Sequence, residues 1–362
     1  MAIGIRGYGA AVPRLRIRVE EIQAVWRNTT LEVLKGGLQL TERCVLRPDE
    51  DTLTLAAKAG TRALERLGLT GGEIGAFYFG TYTNPWDSRP SCTTLAEMLG
   101  LPRRLFAADV QFAGKSGTSA MQAGFAMIKA TMVENALVIA SDTVNRHVPP
   151  GDNYEYTASA GAAAFLLGTE GVIATIDHTA SVARELSDFF RLEGERWIRC
   201  GSGLGGDVFQ LGLGQDSEAA ARALFDAAGT TERDYDYVVL QQPYGNTPYA
   251  VGKRLGFERE RIAPGAVADR IGDCGSASTL LGLAQVLDQA RAGQRVLLVA
   301  YGFGAGADAL SLTVTREIKD WQERPGRSVQ DLIQDKRYVD YALANKFEYK
   351  YVRPEFPLAP NF

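Results

Sequence analysis

Two short segments contain residue types from which chemistry could be built: Asp109–Ala120 (DVQFAGKSGTSA) and Arg270–Leu281 (RIGDCGSASTLL). In each, a strand-like run hands over to the start of a helix-like run. A helix N-terminus presents free N–H groups and positive potential, which stabilise a thiolate or hold an anion. Cys274 stands at such a start and is a candidate nucleophile. Cysteine is also among the most buried residue types, and a small residue filling a tight helix start is the preferred reading. Asp273 beside it suits a helix cap before it suits a general base, which would need a raised pKa. Other chemistries find little support. Cys44, Cys92, Cys200 and Cys274 form no CxxC pair, and His147 and His178 are the only histidines. That set does not make a metal site of the usual ligand spacing. Ser116, Ser119 and Ser202 lie in no GxSxG elbow. His147, in a polar Pro-Gly loop, reads as exposed. Gly201, Gly203 and Gly206 spell GxGxxG but neither follow a clear strand nor open a helix. Gly302, Gly304 and Gly306 join one strand-like run to the next, which is a turn signature.

The elements that would position these residues come in two copies. Leu53–Leu67 reads as a helix feeding a strand over Ile74–Tyr82, and Glu218–Ala228 as a helix feeding Tyr235–Gln242. Lys115–Met132 feeds Ala136–Ala140, and Gly275–Ala290 feeds Val296–Ala300. A constant shift of about 160 residues relates the copies, on the repeat logic of duplicated units. It lays Phe77 on Tyr237, Ala136 on Val296, and Gly114 on Cys274. A last apolar run closes each copy, Gly161–Gly168 and Ala307–Val314. Continuous apolar strands alternating with helices predict buried parallel strands. Residues 183–212 read as an irregular excursion, and the aromatic, charged residues 319–362 as a tail outside the duplication. With 362 residues and a net charge of −4, there is no basic field for nucleic acid or anionic lipid. No apolar run approaches the roughly 20 residues that span a bilayer. The N-terminal residues read directly into a strand without signal-peptide features, so a cytoplasmic protein is expected.

Four stretches carry a family resemblance. FAGKSGT resembles the cysteine-containing EACxxGT and ACKAGT motifs of hydroxymethylglutaryl-CoA (HMG-CoA) synthases. QQPYGNTPYAVGKRLGF resembles their HQPNG segment, RIGDCGSASTLLGL their KIGNTYSGSALLGL segment, and YGFGAGADAL their SYGSGAGSDAF hairpin. The matches run in the family's order over residues 3–318. The resemblance implies a thiolase-like α/β fold of the HMG-CoA synthase and ketoacyl-ACP synthase III type. Its two pseudo-duplicated halves, 1–171 and 172–318, would form a layered α-β-α-β-α body, with the 319–362 tail packing on the body or a partner. It also implies a pocket near Lys115, Ser116, Gly302, Gly304 and Gly306.

At the matched positions this chain departs from the family. Gly114 stands where the family keeps its nucleophilic cysteine, and Tyr82 where it keeps its acid/base glutamate. Gln241 replaces its histidine and Asp273 its asparagine. Glycine cannot accept an acyl group and glutamine cannot shuttle a proton. With FAGKSGT, QQ and GD together, the chain is most similar to the A subunits of bacterial monoacetylphloroglucinol acetyltransferases. That resemblance implies a catalytically silent subunit of a Friedel–Crafts C-acyltransferase complex acting on acylphloroglucinols. Its partners would be a thiolase-like subunit carrying the cysteine and a small OB-fold, zinc-ribbon subunit, with a homodimer formed near Ala107–Gln111. No cofactor is implied. Two other readings remain open: an active condensing enzyme with unconventional residues, and a CoA- or phenol-binding module without turnover.

Overall fold

The helix Ser278–Leu287 carries no charged residue, and the fold buries all ten of its residues. A helix without a polar face must be covered all round. The computed structural model describes residues 2–200 and 209–351. The GxGxxG run at Gly201–Gly206 and Ser202 lie outside the described residues. In chain order the strands are β1 (Gly4–Ala11), β2 (Leu15–Arg18), β3 (Glu42–Val45), β4 (Ala76–Gly80), β5 (Phe106–Val110), β6 (Ala136–Thr143) and β7 (Ala160–Gly168). They continue with β8 (Ala174–Ala183), β9 (Phe189–Phe190), β10 (Arg199–Cys200), β11 (Tyr237–Leu240), β12 (Arg295–Gly302), β13 (Gly306–Val314) and β14 (Arg337–Tyr338).

Nine strands hydrogen-bond in the order β11-β12-β13-β8-β1-β7-β6-β4-β5. The order mirrors about the β8–β1 junction, and five layers result. Helix Thr52–Leu67 covers β1, β6 and β7 on one outer side, and helix Gly214–Ala228 covers β8, β12 and β13 on the other. Ser278–Leu287 and Ser116–Lys129 share the central apolar cluster with Val138, Phe165, Leu298 and Leu310. Helix Thr52–Leu67 begins at Asp51, whose carboxylate accepts the Thr54 N–H, and ends at Gly68 with a left-handed φ of 72°.

Two expectations need correction. The strands are not all parallel: among the described residues of the nine-stranded sheet only β4–β5, β4–β6 and β11–β12 are. β12 and β13 are joined by only Phe303–Ala305, and so short a link permits only an antiparallel pair. The second correction concerns register. Leu137 pairs with Phe77, and Leu297 with Val238. Phe77 therefore corresponds to Val238 and not Tyr237, although Leu137 and Leu297 keep the 160-residue shift. One residue of slip reverses a strand's faces. Only the corrected match puts Phe77 and Val238 both toward outer layers, and Tyr78 and Val239 both toward the centre.

The tail, to residue 351, lies against the body. Trp321 enters the central cluster, β14 adds a strand beside β2, and helix Tyr341–Phe347 packs near Tyr156 and Leu34. Among the described residues no helix is long and apolar enough to cross a membrane.

Candidate active site

The two segments singled out in the sequence meet. Each opens with a single 3-10 turn, Ala113–Lys115 and Gly275–Ala277, followed by a long helix. The turns press together so closely that a Cβ on Gly117 would stand 2.9 Å from the Ser276 carbonyl oxygen. Gln241 lies against Gly114 of the first turn and bonds to the second segment. Its Nε2 donates to the Gly275 carbonyl at 3.2 Å and its Oε1 accepts from Thr279 Oγ1 at 2.5 Å.

Gly114 sits in this contact with no room for a side chain. A Cβ there would lie 2.5 Å from the Tyr301 carbonyl oxygen and 2.9 Å from Gln241 Nε2. The replacement is therefore structural as well as chemical, because backbone and glutamine occupy the space a nucleophile would need. A cleft of about 530 Å³ opens beside this turn, on Phe112 and Ala113. Phe112, Phe189, Phe190 and Phe303 wall it, with Tyr82 and Gly304. Phe189 stacks on Phe303 with centroids 4.8 Å apart, and Tyr82 meets Phe189 edge-on at 5.8 Å.

Behind Tyr82 lies a buried polar cluster. The Tyr82 hydroxyl is buried and makes no hydrogen bond of good geometry among the described residues. The Tyr154 hydroxyl, nearby, donates instead to Asp273 Oδ2 at 2.6 Å. Burial, then the charges of Asp142 and Asp273, hold the Tyr82 phenol well above its ordinary pKa, so it stays protonated. Asp273 Oδ1 accepts from the Gly275 N–H at 2.9 Å and Ser278 Oγ at 2.8 Å, so it satisfies a free N–H of the turn from one residue before the cap position, which falls on Cys274. Burial pushes its carboxyl up to about 6. Asp142, which the sequence reading passed over, joins both halves. It accepts from Thr81, Tyr82 and Thr83 on one oxygen and from Ser276 on the other. Its only signal in sequence is a carboxylate ending a wholly buried strand, ALVIASDT.

Other candidates leave the site. Cys274 is fully buried in the central cluster, its thiol 3.3 Å from the Ala160 carbonyl. Burial raises its pKa well above the ordinary value, so it is no nucleophile. Lys115 does not line the cleft; its Nζ pairs with Asp308 at 2.8 Å. Ser116 caps its own turn, accepting the Phe112 N–H and donating to the Ala113 carbonyl. Of the three glycines, Gly304 lines the cleft. Gly302 and Gly306 instead make room for Phe112, whose atoms would lie 2.5 and 3.0 Å from a Cβ at those positions. His147 is half-buried, its Nδ1 3.1 Å from the Arg196 carbonyl, and burial takes its pKa down to about 4.

Asp273 yields a pH prediction. Its folded pKa, near 6, lies above the ordinary 3.8. The folded state therefore binds more protons between those values, and stability from this group falls as pH rises through that window. Asp273→Asn should gain on the wild type by roughly 2 kcal/mol between about pH 4.5 and about pH 7.5. Urea unfolding at both pH values checks it; parallel curves would show that the carboxyl titrates normally.

Comparison with known proteins defines first a class. A structure of MvaS in complex with 3-hydroxy-3-methylglutaryl coenzyme A superposes with a TM-score of 0.84 at 22% identity, covering 96% of this chain and 91% of that one. A structure of an HMG-CoA synthase complexed with CoA gives 0.86 at 18% identity, covering 98% and 92%. The fold is thus the mixed α/β, thiolase-like fold of the condensing enzymes. Residues 225–314 match the family model of the C-terminal part of 3-oxoacyl-[acyl-carrier-protein] synthase III. A hydroxymethylglutaryl-CoA synthase of Picrophilus torridus is 40% identical over 344 residues, 95% of this chain and 96% of the relative. One of Methanosphaera stadtmanae is 38% identical, covering 96% of this chain and 98% of the relative. The chain belongs to the HMG-CoA synthase family. Relatives named for an enzyme, matched from end to end, overturn the expectation of a catalytically silent subunit of an acylphloroglucinol acyltransferase.

Proposed function

We propose that this chain is a carbon–carbon bond-forming enzyme acting on acyl thioesters, as its relatives' names indicate, with no acyl group resting on residue 114. The observation that supports this is the cleft. It opens on Phe112 and Ala113, in the turn where the resembled motif places its thiol, while Gly114 itself offers no atom to acylate. The thioester and a carbon nucleophile are then bound together. The nucleophile adds to the carbonyl, the C–S bond breaks, and the thiol leaves with the proton released by the acylated carbon. The Tyr82 ring lines the cleft, and its protonated hydroxyl is buried behind it with no hydrogen-bond partner of good geometry among the described residues, so that a turn of the ring brings it to bound substrate. A carbonyl oxygen gathering negative charge is the acceptor that hydroxyl lacks.

The four phenylalanine walls favour a planar acceptor. A flat carbon acceptor would stack between those rings. A cytoplasmic location, a homodimer, a thiolase-like partner and a small OB-fold, zinc-ribbon partner belong to the same proposal. Co-purification from the native host tests them.

The chain should be assayed with acetyl-CoA against acetoacetyl-CoA and against an acylphloroglucinol, with product followed by mass. Intersecting initial-rate patterns and an unmodified protein mass after acid quench are expected. Tyr82→Phe should lower kcat/KM by about tenfold or more. An acetylated chain would refute direct transfer, and absence of any C–C bonded product with either acceptor would refute the function.

A further inference from the structure

Where the C-terminal arm crosses helix Thr52–Leu67, a second cavity of about 250 Å³ remains. It shares no lining residue with the aromatic cleft. Arg62, Arg66 and Arg327 line it, and Glu65 is the one acidic residue among its lining. The three guanidiniums are unequally satisfied. Arg327 pairs with Asp335 at 2.8 Å, but Asp335 is shared with Arg14 at 2.7 Å. Arg66 lies 4.3 Å over the Trp321 ring and donates to the Trp321 carbonyl at 3.0 Å. Its Nε is buried with no hydrogen-bond partner among the described residues. Arg62 donates from one nitrogen to the Ala10 carbonyl at 2.7 Å, its one hydrogen bond among the described residues. Burial, then the nearby Arg327, pulls its pKa down. Arg62, Arg66 and Arg327 thus converge on a partly open cavity, with the N–H groups of Arg62 not fully used, an arrangement that an anion would relieve.

We infer that this cavity binds a small phosphoryl dianion, held by Arg62, Arg66 and Arg327. Guanidinium forks match phosphoryl oxygens in pairs, and a dianion offsets the surplus of positive charge. The volume exceeds that of one phosphate, so a phosphate ester fits as well as the free ion. Because the walls come from both β1 with helix Thr52–Leu67 and the 325–329 arm, the ligand would fasten the arm to the body.

The full-length chain should be titrated with inorganic phosphate and with glycerol phosphate, by calorimetry and thermal unfolding, against chloride at matched ionic strength. Saturable binding with a raised Tm is expected for at least one of them. Tighter glycerol phosphate would assign an ester, tighter phosphate the free ion. Arg62→Gln, and separately Arg327→Gln on the exposed arm, should each weaken binding about tenfold or more. Binding of neither ligand would overturn the inference. So would wild-type affinity in both variants, which would place the ion elsewhere, the aromatic cleft included.

Discussion

Asp142→Ala should lower the free energy of unfolding by about 4 kcal/mol, a loss that single substitutions seldom reach. The carboxylate is fully buried and no cation pairs with it among the described residues. Hydrogen bonds hold it instead. Oδ1 accepts from Thr81 Oγ1 at 2.8 Å, the N–H groups of Tyr82 and Thr83 at 3.0 Å each, and Thr83 Oγ1 at 2.7 Å. Oδ2 accepts from the Ser276 N–H at 2.8 Å and from Ser276 Oγ. Burial raises its pKa, and these donors work against that rise. Alanine would leave the Tyr82 and Ser276 N–H groups buried and unmatched, each costing about 1–3 kcal/mol, and the Thr83 N–H with Thr81 Oγ1 alone at 3.2 Å, with some relief from water entering the space. The β4 end and the Gly275–Ala277 turn would lose their shared tie, and Tyr82 would lose its fixed place beside the cleft. Asp142→Asn keeps the shape but turns one acceptor into a donor that faces donors, so it should cost less than alanine yet remain destabilising. Urea unfolding of the three proteins decides it. An alanine variant within about 1 kcal/mol of wild type would mean that the tie contributes little.

The same tie shows what a linear reading reaches. FAGKSGT, QQPYGN and RIGDCGS announced themselves as motifs, and the fold brings Gly114, Gln241 and Gly275 into contact. A glycine in sequence reports only a missing side chain. That the space is already filled by the Tyr301 carbonyl is a fact of β12, nearly two hundred residues away. A helix start lowers a thiol's pKa, which makes Cys274 a candidate nucleophile, but the preferred reading of a small buried residue is the one the fold realises. Its helix happens to be the one buried between both sheet halves, and there desolvation outweighs the helix terminus. Asp142 contacts residues 60 positions before it and 134 after it, and no local pattern encodes such partners. The register slip at Phe77 has a similar origin: the strand pattern AFYFG is apolar on both faces, so hydrophobicity alone cannot choose between them.

The tail poses the sharpest contrast between sequence and structure. The aromatic residues of the tail are expected to pack on the body or a partner, yet in KFEYKY it is the charged Glu348 and Lys350 that are wholly enclosed while Tyr349 and Tyr351 stay exposed. Glu348 pairs with Arg43 at 2.6 Å and Lys350 at 3.2 Å, and Lys350 reaches Glu155 at 3.1 Å. Asn145 adds a hydrogen bond to Glu348 at 2.8 Å. Burial alone would raise the Glu348 pKa; Arg43 and Lys350 overcome it, so the pKa lies below the ordinary 4.5. Stability from this carboxylate is therefore present at neutral pH and lost as pH falls through the depressed pKa. Glu348→Ala strands two cations against Glu155 alone and should cost about 3–5 kcal/mol. Glu348→Gln keeps one acceptor for Arg43 but no charge, and should fall between. Effects should also reach the cleft, because Glu155 adjoins Tyr154, whose hydroxyl holds Asp273. Loosening the tail would free Tyr154 to turn toward Tyr82. Unfolding measured at about pH 7 and about pH 4 separates the causes: if the wild-type advantage over Glu348→Ala does not shrink in acid, the carboxylate's charge is not what anchors the tail.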